Sequence, residues 1–160
     1  MCGLCEEYAG KNFTNPAKVA VLSCEGASAR GEVARRAANI LTHTLTPKKT
    51  LRICLGGAFT KDTGQRTLVR RANKVIAIEG CFITCASRMS KGVLEDLKFT
   101  VVLADTLYPK SLPFRIDEVS DNKFSMYTKQ VAEDVEKKPS QELTLTFFRE
   151  RDQFFTPVTM

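Results

Sequence analysis

The sequence predicts a single three-layer (αβα) α/β domain with a short, mostly parallel, Rossmann-like sheet. Three observations predict it. Val/Ile-rich runs recur without strict polar alternation, the habit of strands buried on both faces of a parallel sheet. Helical patterns fall between those runs, as right-handed crossovers require. The candidate strands start about 25–30 residues apart, the length of a βαβ unit.

In chain order the candidate strands are Lys18–Cys24 (KVAVLSC), Thr50–Gly56 (TLRICLG), Lys74–Cys81 (KVIAIEGC) and Phe99–Asp105 (FTVVLAD). The first helix is expected over Glu32–Leu45, with Val33, Ala37, Ile40 and Leu41 on one face. A second is expected over Asp62–Asn73, capped by Asp62, with Leu68, Val69 and Ala72 turned inward. A third follows over Thr84–Leu97, weakened in its middle by Gly92. The last, Ser125–Lys138, carries Tyr127, Val131 and Val135 on one stripe and stops at Pro139.

These elements make residues 18–138 the domain. Residues 1–17 read as an arm, and residues 139–160 as a Phe-rich tail with four of the ten phenylalanines. Those rings must be buried, either on the same subunit or as a homodimer contact.

The chain has 160 residues, 43% hydrophobic and 26% charged, which is ordinary for a soluble protein. No apolar run approaches the ~20 residues that span a bilayer. The first residues show neither a basic start nor an apolar h-region, so a cytoplasmic location is expected. There the six cysteines read as thiols, metal ligands or redox groups rather than structural disulfides. The net charge of +6 favours anionic partners only weakly. No aromatic-rich nucleic-acid motif accompanies it, so it reads as an ordinary basic surface and weighs against nucleic acid.

The cysteines carry the chemistry. In an open α/β sheet, sites form outside the carboxyl ends of the strands. Cys24 ends the first strand, Cys54 lies near the end of the second, and Cys81 ends the third. Cys85 stands one helical turn beyond Cys81. Helix N-termini after Cys24 and Cys81 point at this edge and are expected to lower the thiol pKa values. Four thiolates at one edge suit a tetrahedral zinc site and a metal ion as partner. The spacing C-x29-C-x26-C-x3-C is that of neither a zinc finger nor the usual iron–sulfur run. An iron–sulfur cluster, or buried cysteines with no ligand, are the other readings. Glu79 is a carboxylate at a strand end, able to bond backbone N–H groups or a partner of the metal. Ser28 is expected to cap the following helix or to donate to a cysteine sulfur.

Three segments together, VLSCEGASARGEVARRAANIL, CLGG and VIAIEGCFITCASRM, resemble the DGC domain, a family described as zinc-binding proteins of largely unknown function. The resemblance covers roughly Val19 to Thr106. The family's Asp-Gly-Cys is here Glu79-Gly80-Cys81, which keeps the carboxylate. The resemblance implies that Cys24, Cys54, Cys81 and Cys85 are the chelating cysteines.

A rival reading takes Cys24–Arg30 as a C-x5-R oxyanion loop. It is similar to the loop of low-molecular-weight tyrosine phosphatases and arsenate reductases, with Cys24 as nucleophile and Arg30 as anion clamp. Against it, Gly31 stands where those enzymes carry a serine or threonine, and no Asp-Pro offers a general acid. A third reading is thiol redox or sulfur handling by Cys2 and Cys5, a C-x2-C pair on the arm. His43 is expected near a helix end, away from the cysteine edge. Arg66, Arg70, Arg71 and Lys74 are expected on a solvated helix face.

Overall fold

The computed structural model describes residues 3–109 and 112–137. Cys2 and the Phe-rich tail, with its proposed dimer contact, lie outside them. The four expected strands form, as β1 (Val19–Ser23), β2 (Thr50–Arg52), β3 (Val75–Glu79) and β4 (Phe99–Leu103). They pair in the order β2-β1-β3-β4, and every pair is parallel. The register sets Ala20 against both Leu51 and Val75, and Glu79 against Leu103.

Both faces of the sheet are covered, which is why the strands lack polar alternation. Alternate β1 residues feed opposite cores: Val21 packs with one cluster, Ala20 and Leu22 with the other. On the first face lie α2 (Ala29–Ile40) and α6 (Asp121–Lys137). Ala34, Ala37 and Ala38 keep α2 slim there, and Phe124 and Val131 of α6 pack with it in the same cluster. On the second face lie α1 (Gly3–Asn12), α3 (Leu55–Phe59), α4 (Gly64–Arg71) and α5 (Cys85–Val93), joined through Ala9, Leu55, Leu68, Val69 and Ala86. The crossover from β1 outward to β2 uses the first face. The crossovers from β2 to β3 and from β3 to β4 run the other way and use the second. Crossovers of one hand demand that arrangement.

Several boundaries differ from the expectation. Helix α2 starts three residues early, at Ala29, because the Ser28 hydroxyl accepts from the Gly31 N–H and caps it. It runs on into a π-helical turn over Leu41–Leu45. Thr63, not Asp62, caps α4: its hydroxyl accepts from the Arg66 N–H, while Asp62 sits at φ 58°. Helix α6 begins at Asp121. The largest difference is at the N-terminus, where the segment read as an arm forms α1 and docks on α4. The Glu6 carboxylate accepts from the Gly64 N–H at 3.0 and 3.1 Å, at the positive end of α4. The Tyr8 hydroxyl accepts from the Arg52 N–H at 3.0 Å, which occupies a backbone donor of edge strand β2.

The basic face of α4 is tied down rather than merely solvated. Arg66 donates to the Val93 carbonyl, Arg70 pairs with Asp96, and Arg71 lies over the Phe13 ring. Among the described residues no helix is long and apolar enough to cross a membrane.

Candidate thiol site at the carboxyl edge of the sheet

Strand order reverses between β1 and β3, and the chain after each of these strands opens a crevice there. Cys24 follows β1 directly. Its N–H donates to the Ile78 carbonyl at 2.8 Å, one step beyond the ladder. Its sulfur accepts from the Gly26 N–H at 3.4 Å, and the residue is 6% exposed. The expected lowering of this thiol's pKa does not occur. Burial pushes the Cys24 thiol up, amide donors at Gly26 and Gly80 oppose it, and the neighbouring Glu79 and Cys85 add to the rise. Desolvation outweighs the amides and the helix end.

Glu79 explains how the edge is built. It is the last residue of β3, wholly buried, and points into the first turn of α5. Its carboxylate accepts from the Ala86 N–H at 3.2 Å and from the N–H and hydroxyl of Ser87, both at 2.6 Å. The residue before the helix, Thr84, makes no side-chain cap and sits at φ 53°, left-handed for a β-branched residue. A carboxylate from the neighbouring strand therefore does the capping, and it fixes Cys85 as the first residue of α5. Gly80 lets this turn press against α2: a Cβ there would lie 2.7 Å from the Gly31 N and 2.8 Å from the Arg30 carbonyl.

Cys54 precedes α3, and its N–H donates to Gln65 Oε1 at 3.3 Å. Cys54 and Cys85 are exposed, and Cys81 and Cys5 are half-buried. Cys54, Cys85 and Cys5 line one cavity of about 820 Å³. Cys24 and Cys81 are not part of that lining. Cys81 acts instead on Tyr108: burial holds that hydroxyl's pKa far above its usual value, Asp105 and Cys81 add to the rise, and Arg30 opposes it. Arg30 itself pairs with Asp105 at 3.6 Å.

The four expected cysteines thus share the carboxyl edge: Cys54 and Cys85 line the cavity, Cys85 is within electrostatic reach of Cys24, and Cys81 is within reach of Tyr108. The thiol donors suit zinc by their chemistry. Their spacing does not make a ready site: among the described residues no three Cys, His, Asp or Glu side chains are grouped to hold a metal ion.

Two residues change standing. His43, expected away from the cysteines, lines the same cavity as Cys54 and Cys85. It does so because α2 runs beside edge strand β2, as the bond from Arg52 Nε to Asn39 Oδ1 at 3.0 Å records. Arg52, unremarked in the sequence, lies at the heart of the cavity wall. It pairs with Glu25 and donates to Ser23 Oγ at 2.6 Å. A lone arginine at a strand end carries no periodic signal that would have found it.

Comparison with curated proteins and with solved structures finds no match. The family model of the DGC domain matches residues 20–126. That span is well over half of the chain and takes in all four edge cysteines, and so this protein belongs to the DGC-domain family.

Proposed function

We propose that this protein binds zinc through thiolates at the carboxyl edge of its sheet, drawn from Cys24, Cys54, Cys81 and Cys85. The observation that carries this reading is the repeated placement of a cysteine just beyond β1, β2 and β3 and at the start of α5. Small hydrophobic cysteines scattered through a core would have no reason to favour that edge each time. Membership of the DGC-domain family supports it. Four thiolates would leave no open coordination position, so the metal would be structural or regulatory rather than hydrolytic. Because the thiols are not gathered beforehand, binding has to draw the edge loops together. Metal affinity and local folding are then one free energy. Glu79 supports the site by holding the first turn of α5 behind Cys85.

The oxyanion-loop reading of Cys24 and Arg30 finds less support. A nucleophilic thiolate needs a lowered pKa, whereas burial raises that of Cys24, and Arg30 is engaged with Asp105.

Elemental analysis of the purified, reduced protein tests the proposal. The expected result is about one zinc per chain, lost in Cys81→Ser or Cys85→Ser with the circular dichroism unchanged. A metal-free protein that turns over an aryl phosphate or arsenate, dependent on Cys24 and Arg30, overturns it. A brown protein with visible absorption and bound iron overturns the choice of zinc.

A further inference from the structure

The geometry points to a binding site for an uncharged, largely apolar small molecule bearing a hydrogen-bond acceptor, seated in the cavity between α1, β2, α3 and α5. This goes beyond the zinc reading and requires no metal. The cavity, about 820 Å³, falls within the roughly 300–1,000 Å³ of small-molecule sites. Leu4 and Tyr8 of α1, Leu55 and Phe59 of α3 and Met89 of α5 give it apolar walls. Helix α1 lies before residue 20, outside the span matched by the family model.

The charge preference follows from Arg52, the cation in the lining. An arginine has five N–H donors, and here each has a partner. Nε donates to Asn39 Oδ1, Nη1 to the carbonyls of Val21 and Ile53, and Nη2 to Ser23 Oγ and the Glu25 carboxylate. An anionic ligand would have to break one of these bonds to reach the guanidinium. A cationic one would meet a carboxylate whose charge Arg52 already offsets through Glu25 Oε1. The pair neutralises itself, and the basic net charge of the protein is not expressed at this wall.

Tyr8 supplies the polar handle. Its oxygen accepts from the Arg52 N–H, which leaves its own O–H to donate to a further acceptor, such as a ligand carbonyl. A half-buried aromatic with one polar end can orient a mostly apolar ligand.

Fluorescence titration of the full-length reduced protein with prodan, an uncharged naphthyl ketone, tests the inference. The expected result is saturable one-to-one binding with blue-shifted emission. Gly56 lines the cavity, and a Cβ there meets nothing nearer than Cys54 Sγ at 3.9 Å. Gly56→Leu therefore grows into the space and is expected to weaken binding about ten-fold or more. Tyr8→Phe is expected to weaken it by roughly three- to ten-fold through the lost hydrogen bond. The anionic probe anilinonaphthalene sulfonate is expected to bind more weakly than prodan. Non-saturable binding, an affinity indifferent to Gly56→Leu, or tighter binding of the anion overturns the inference. Should Gly56→Leu fail to fold, alkylation of the unaltered protein decides. Prodan protecting Cys54 and Cys85 from iodoacetamide supports the site, and no protection overturns it. The titration is run in EDTA as well as with zinc. Prodan binding in EDTA by a chain that takes up no zinc keeps this inference and removes the zinc reading. Zinc uptake without prodan binding does the reverse.

Discussion

Glu79 shows what a single position decides. Its carboxylate is wholly buried and serves three donors in the first turn of α5. Glu79→Ala strands the Ala86 and Ser87 N–H groups, at roughly 1–3 kcal/mol for each donor left unpaired. Urea unfolding should show the loss, and Glu79→Gln should recover only part of it because an amide oxygen is a weaker acceptor than a carboxylate. Gly80 beside it is constrained by backbone rather than by side chains, which cannot swing away. Gly80→Ala should cost about 1–3 kcal/mol by overpacking against Gly31 and Arg30. An unchanged melting temperature would mean that the turn gives way freely. The placement of the four cysteines at the sheet edge was legible from where each falls after a candidate strand, and so was the carboxylate at the strand end. The direction of the Cys24 pKa was not, because burial depends on how loops close over the sulfur. In metal-free protein, among the described cysteines, iodoacetamide is expected to modify exposed Cys54 and Cys85 first and Cys24 last, as peptide mapping by mass would record.

Among the elements, the sequence concealed α1 and also the short α3, whose first residues Leu55 and Gly56 read as the end of a strand. GLCEEYAGKN shows no apolar stripe, and only Ala9 of this helix is buried. It is held by polar anchors, Glu6 on Gly64 and Tyr8 on Arg52, and a pair of such bonds leaves no periodic trace. Helix α2 was legible by its apolar face but misplaced at its start, since Ser28 recruits a whole extra turn as cap. Directly after that turn comes Glu32, whose carboxyl the Arg35 guanidinium, with help from Arg36, holds below the usual carboxylate range. A carboxyl depressed in the folded state stabilises it at pH values above its unfolded value of 4.5. The contribution fades as pH falls through the lower folded value. Glu32→Gln should therefore melt below the parent at pH 7, with the gap closing under strong acid. A gap independent of pH would show that the ion pairs contribute nothing. Docking of α1 is open to a similar test. A Cβ at Gly64 would lie 2.4 Å from the Ala9 Cβ, so Gly64→Ala should loosen α1 and speed both limited proteolysis near residue 12 and prodan release.

At the scale of the whole molecule, parallel βαβ winding was readable because each strand is buried on both faces and each crossover has its helix. The cavity was not readable, since it needs α1, β2, α3 and α5 together, and the ends of four elements meet there only after folding. Thiols from beyond β1, β2 and β3 and from α5 belong to loops that the unfolded chain scatters, so a metal that gathers them binds only the folded form with high affinity. Zinc held at about a hundred times its dissociation constant would then add about 2.7 kcal/mol. For a chain of this size that is about 5–10 °C in melting temperature. Because each bound thiol must shed a proton, and Cys24 holds its own more firmly than a free thiol does, the zinc-induced shift should grow as pH rises from 6 to 8. The shift should shrink in Cys54→Ser and Cys85→Ser. Its response to Cys81→Ser separates two arrangements. A lost shift means that Cys81 turns from Tyr108 to join the others. A retained shift means that Cys24, Cys54 and Cys85 hold the metal without Cys81, which leaves one coordination position open.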